Sequence, residues 1–233
     1  MAKNKAQSNL EGKETVEVFK DLDRGALDTE RFLERNAKLL ITVFAVLVLA
    51  VLGYFAYKQF YVEPRNEEAL MSYLSAQKNL AEGKEDLALG GKSAANPGYL
   101  GTYKNYEDTP VGKLSAYNAG LLKFKEEKYK EAYDLLDAFS SNNDILMSLK
   151  YGAMADSQLN LNKTNEALPL LDKAIKASDD PYTQYYFTRK AGMTALAINK
   201  KAEAKKYFST VDEKYQDYDN GMSDAYIEMV KYF

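Results

Sequence analysis

The sequence predicts an all-α protein, with a single N-terminal transmembrane helix followed by an α-solenoid of helical hairpins. Three observations lead there. Leu39 to Tyr57 carries no charged residue, and Thr42 is its one hydroxyl before the aromatic end. Small residues recur in pairs 12 apart: Gly120 with Ala132, Ala155 with Ala167, and Gly192 with Ala204. The pairs step along the chain by 35 and then 37 residues. Thr109-Pro110 and Asp180-Pro181 then mark helix starts, because the side-chain oxygen accepts an orphan N–H and Pro at the first helical position has none to lose.

Residues 1–36 form a polar arm. Met1 to Thr15 has no apolar period, which is the signature of disorder. From Val16 to Arg35 apolar residues fall near helical spacing, among them Phe19, Leu27 and Phe32, and predict a weak amphipathic helix. Residues 37–59 are the span, since about 20 residues at 1.5 Å per residue cross a hydrocarbon layer of about 30 Å. The polar residues before it and the sequence KQFYVEPR after it argue against a cleaved signal peptide, so the span reads as an uncleaved anchor. Lys20, Arg24, Arg31, Arg35 and Lys38 precede the span, whereas only Lys58 and Arg65 follow it closely. That asymmetry predicts a cytoplasmic N-terminus and a C-terminal domain on the far side. Tyr54, Tyr57, Phe60 and Tyr61 suit the membrane interface, where amphipathic rings collect.

Residues 60–108 read as a linker helix, a degenerate first hairpin around Ala76 and Ala88, and a Gly/Tyr-rich insertion from Gly90 to Asp108. The insertion is expected to be an irregular link or a short helix containing Tyr99, Leu100, Tyr103 and Tyr106. Residues 109–233 contain the hairpins and a C-terminal capping helix within Met222 to Tyr232. Each small pair marks a close helix crossing, and Leu136, Leu171 and Phe208 lie four residues beyond its second member. Asp144 is expected to cap a helix starting at Ile145. Pro169 is expected to bend its helix or delay its start, because it lacks an N–H for the ladder.

Composition excludes several chemistries. The chain has no Cys and no His, which removes disulfides, His-based zinc sites and Ser-His-Asp triads. The net charge of −3, with both signs interspersed, gives no nucleic-acid footprint. Gly91-Lys92-Ser93 lacks the spacing of a phosphate loop. No cofactor and no catalytic or metal constellation is expected, and the reading is non-enzymatic.

The segment KFKEEKYKEA, Lys123 to Ala132, resembles the tetratricopeptide repeat, with Tyr129 as the aromatic three before the Ala. The likeness covers about residues 110–215. It departs from the motif where Thr164 and Lys201 replace the aromatic. The arm, the span, NPGYLGTYKNYEDTPVGKLSAYNAG and the repeats together resemble the ancillary Sec translocon subunit family, in its Bacteroidetes-type form. That resemblance implies a bacterial inner-membrane protein with a periplasmic interaction domain. The implied partners are SecYEG translocon subunits, a membrane-anchored periplasmic chaperone or peptidyl-prolyl isomerase, and emerging secreted polypeptides. A scaffold for cell-envelope or outer-membrane assembly, unrelated to Sec, is the alternative. Repeat register places Tyr117, Leu121 and Phe124, then Gly152, Asp156 and Leu159, then Tyr186, Arg189, Met193 and Leu196, on a protein-binding groove. Gly120, Ala132, Ala155, Ala167, Gly192 and Ala204 are assigned to repeat packing.

Overall fold

The computed structural model describes residues 32–233, so residues 16–31 of the expected amphipathic helix lie outside the described part. The chain divides into two compact units after Val62. In the first, residues 32–57 form helix α1, long and apolar enough to cross a membrane and with no part of its apolar window buried. Tyr54, Tyr57, Phe60 and Tyr61 are all exposed, and the rings of Tyr57 and Tyr61 stack at 5.2 Å. Phe60 and Tyr61 lie in a π-helical stretch, Lys58–Val62, which closes this unit.

The second unit is a series of packed helical pairs. Its helices are α2 (Glu63–Ala81), α3 (Glu85–Gly90), α4 (Gly98–Asn105), α5 (Pro110–Lys125), α6 (Tyr129–Ala138), α7 (Asp144–Asn160), α8 (Thr164–Ala177), α9 (Pro181–Ala197) and α10 (Lys201–Lys214). Two short helices follow, α11 (Gln216–Asp219) and α12 (Asp224–Val230). Each pair packs within itself, and each second helix also packs on the next first helix. This is a helical-solenoid arrangement. Among the described residues there is no β-strand.

The crossings fall where small residues recur. A Cβ on Gly120 would meet Leu136 at 2.8 Å and the Ala132 carbonyl oxygen at 3.2 Å. One on Gly192 would meet the Phe208 ring at 2.8 Å. Ala132, Ala155, Ala167 and Ala204 are all fully buried. Most of them join Leu136, Leu171, Phe187 and Phe208 in the main core.

The turn inside each pair is built one way four times. Gly83, Glu127, Asn162 and Asn199 occupy the left-handed region, with φ of 74°, 60°, 60° and 59°. The Lys after each of them donates its N–H back five residues, as Lys128 does to Lys123 and Lys163 to Gln158, which satisfies the carbonyls at the helix end. The α2–α3 pair shares this turn, and Ala76 and Ala88 are fully buried against Tyr99 and Ala119.

The insertion takes the short-helix form, as α4, which contains Tyr99, Leu100 and Tyr103 and is C-capped by Tyr106; Tyr99 is buried in a second core beside α5. Other expectations are corrected. The cap of α7 is Asn143, whose Oδ1 accepts the Leu146 N–H at 2.9 Å, while Asp144 is the first helical residue. Helix α8 starts at Thr164 and continues through Pro169. Pro169 is exposed and, with Asn165, borders a surface cavity of about 490 Å³, so solvent reaches the backbone it leaves unpaired. At the C-terminus the buried face is Tyr226, Ile227 and Val230; Ala225 and Met229 are exposed. Asp217 to Asp219 lies in α11.

Candidate functional site

The first helices α5, α7 and α9 are aligned by Gly120, Ala155 and Gly192. Six residues before these lie Leu114, Leu149 and Tyr186, and one residue after them lie Leu121, Asp156 and Met193. Leu121, Leu149, Tyr186 and Met193 are 39%, 40%, 47% and 38% exposed, in helices whose other faces are buried. Large apolar side chains left uncovered at two register positions seven residues apart, and so on one stripe of these helices, are what a binding face requires. Lys190 of α9 crosses to Asp156 of α7 as an ion pair and lies 5.7 Å from the centre of the Tyr186 ring. A charged link therefore sits within the apolar row.

The residues predicted for the groove separate into three groups. Leu121, Tyr186 and Met193 are exposed, and Asp156 is half-buried in its ion pair. Tyr117, Phe124, Leu159 and Leu196 are packing residues. The Tyr117 ring lies 5.0 Å from Phe139, and burial pushes its hydroxyl pKa up. Phe124 meets Tyr129 edge-on at 5.2 Å, while Leu159 and Leu196 pack on the main core. Gly152 is not a wall residue, because a Cβ there would lie 2.2 Å from Phe187. Arg189 is tied to the C-terminal segment, donating to Ser223 Oγ at 3.2 Å and to the Met222 carbonyl at 3.4 Å.

Sequence reasoning missed Leu149 and Lys190. Leu149 was legible, since its register equals that of Tyr186. Lys190 carried no signal, because its acidic partner belongs to another helix. It also missed a buried polar knot at the end of the stack. The Tyr185 hydroxyl donates to Asp219 Oδ1 at 3.0 Å, and Asp219 also accepts from the Ser223 N–H and hydroxyl. Burial, and then this carboxylate, raise the Tyr185 pKa.

Two further shifted groups, Lys150 and Tyr207, also sit in ties between helices. Lys150 is buried and donates to the Asp137 and Phe139 carbonyls at the end of α6; desolvation lowers its pKa. Tyr207 donates to Asp172 at 2.7 Å, and burial followed by that carboxylate raises its pKa. Among the described residues no group of three or more acidic side chains is placed to hold a metal. The exposed row offers contact area and one ion pair, chemistry suited to holding a polypeptide. No protein-family model matches the chain, and no curated protein matches it.

Proposed function

We propose that this protein is a non-enzymatic, membrane-anchored adaptor whose tetratricopeptide-like repeats hold other polypeptides during export. The observation that carries this reading is the uncovered apolar row Leu121, Leu149, Tyr186 and Met193, in a chain that also has an uncovered apolar helix. On this reading α1 spans the bacterial inner membrane and the helical pairs stand in the periplasm. The proposed partners are SecYEG subunits and a membrane-anchored periplasmic chaperone or peptidyl-prolyl isomerase. The layout of arm, span and repeats supports that assignment. Aromatic and large apolar anchors in such a face carry most of the affinity, and the rim mainly excludes water.

The test uses the full chain reconstituted with purified SecYEG in lipid vesicles. We expect association, and an affinity about tenfold weaker for Leu149→Asp with Tyr186→Ala, the loss of roughly one anchor of an interface. Unchanged association in that variant moves the contact off this face. No association in the wild type removes the Sec reading and leaves an envelope scaffold. A Cys introduced in α10 should be labelled from outside spheroplasts; protection from the reagent would reverse the topology.

A further inference from the structure

Asn220-Gly221 is the one Asn-Gly step in the chain. It lies between α11 and α12, and both residues are exposed and left-handed, with φ of 46° and 78°. Two other exposed Asn residues share that backbone, Asn162 and Asn199, in turns inside the helical pairs, with φ of 60° and 59°. What differs is the N–H that follows. Lys163 donates its N–H to the Gln158 carbonyl at 2.8 Å, and Lys200 donates to that of Ala195 at 2.9 Å. The Gly221 N–H donates no hydrogen bond among the described residues. The Asn220 side-chain amide is held by one long bond, from Nδ2 to the Tyr218 carbonyl at 3.5 Å.

An asparagine amide is an electrophile within reach of the next backbone nitrogen. Where that nitrogen belongs to Gly, no Cβ crowds its approach, and the backbone can swing through conformations closed to other residues. We propose that Asn220 is a self-modification site, at which the Gly221 nitrogen displaces the side-chain amide and water completes the conversion to aspartate or isoaspartate. Solvent base takes the Gly221 proton, and the nitrogen bonds to Asn220 Cγ. The Cγ–Nδ2 bond breaks, and ammonia leaves with a proton from water. The resulting succinimide adds water at either of its carbonyls, and the C–N bond at that carbonyl breaks. One water enters, one ammonia departs, and nothing is oxidised or reduced.

The change falls where the C-terminal cap is fastened. Asp219 accepts from the Ser223 N–H and hydroxyl, and Arg189 donates to Ser223 Oγ and to the Met222 carbonyl. Isoaspartate lengthens the backbone between Asp219 and those two residues. Either product adds a carboxylate beside Asp219 and Gly221, and a Cβ on Gly221 would already meet Asp224 Oδ2 at 3.2 Å. Like charges gathered in one turn disfavour one another. Conversion therefore loosens the segment that seats α12, whose Tyr226 stacks on Phe208. This device is independent of the apolar row on the first helices, so either can fail alone.

The full chain in lipid nanodiscs would be aged in warm, mildly alkaline buffer made with heavy-oxygen water. It would then be digested in ordinary water, and its peptides analysed by mass spectrometry that separates Asn, Asp and isoaspartate. We expect residue 220 to convert first and to carry heavy oxygen, while Asn162 and Asn199 keep their amides over the same interval. Asn220→Gln should give no product at 220, because its longer side chain closes the ring far more slowly. Hydrogen exchange across residues 222–230 should be faster in the aged wild type than in the fresh protein, and unchanged by ageing in Asn220→Gln. An intact Asn220, or loss of the amide at Asn162 or Asn199 as fast as at 220, would overturn the site. Conversion without faster exchange would overturn its effect on α12.

Discussion

Gly152 shows how one missing side chain sets the spacing of two helices. A Cβ there would come within 2.2 Å of the Phe187 ring, and Phe187 is itself buried in the main core. With the ring buried, Gly152→Ala should cost about 1–3 kcal/mol, the usual penalty for overpacking a dense interior. Thermal unfolding of the full chain checks this, and a melting temperature equal to the wild type would show that α7 and α9 can separate cheaply. Gly53, with nothing within 4 Å of its Cβ position, should accept Ala without that penalty. The sequence placed Gly152 on a groove because repeat register assigns a position on the helix and cannot assign what faces it. Gly120 and Gly192 were legible as packing residues, because each recurs with an Ala at a fixed interval.

At the scale of elements, the turns and the C-terminal cap illustrate two different degrees of legibility. The turn residues Gly83, Glu127, Asn162 and Asn199 share a left-handed backbone and a following Lys. Gly and Asn enter that region at low cost, whereas Glu does not. Helix α12 is held by Val230, by Tyr226 stacked on Phe208 at 5.2 Å, and by the knot of Tyr185, Asp219 and Ser223. Asp219→Ala leaves the buried Tyr185 hydroxyl without its acceptor, which costs about 1–3 kcal/mol. Hydrogen exchange should then rise across residues 216–233 while α5 to α8 keep their protection. Unchanged exchange in α12 would mean that Tyr226 and Val230 alone hold it. The knot could not be read from sequence, because Asp217-Tyr-Asp219 gives no sign of which carboxylate turns inward.

For the whole molecule, its buried tyrosines contribute to the response to alkaline pH. Burial raises the Tyr99 pKa to about 12, and also raises those of Tyr73, Tyr117, Tyr185, Tyr207 and Tyr215. Above the ordinary tyrosine value of about 10, the unfolded chain loses these protons while the folded chain keeps them. The unfolded state then binds fewer protons, so stability falls as pH rises from about 10 towards the raised values. Denaturant midpoints measured across that range should drop steadily, with tyrosinate absorbance appearing in step with unfolding. Tyrosinate absorbance at ordinary pKa values in the folded protein would contradict the burial.

An all-α chain, an apolar helix in its N-terminal part and paired helices farther on were determined by sequence alone. Each follows from a period or a run that acts within one segment: uninterrupted apolarity, the spacing of small residues, and Pro behind a capping side chain. Tertiary structure alone decided which register positions remain exposed. It brought Lys190 to Asp156, seated Arg65 on Asp108, and turned Arg189 towards the C-terminal segment. Those pairings join residues from different helices, and their distances depend on how the helices pack, which no local pattern encodes.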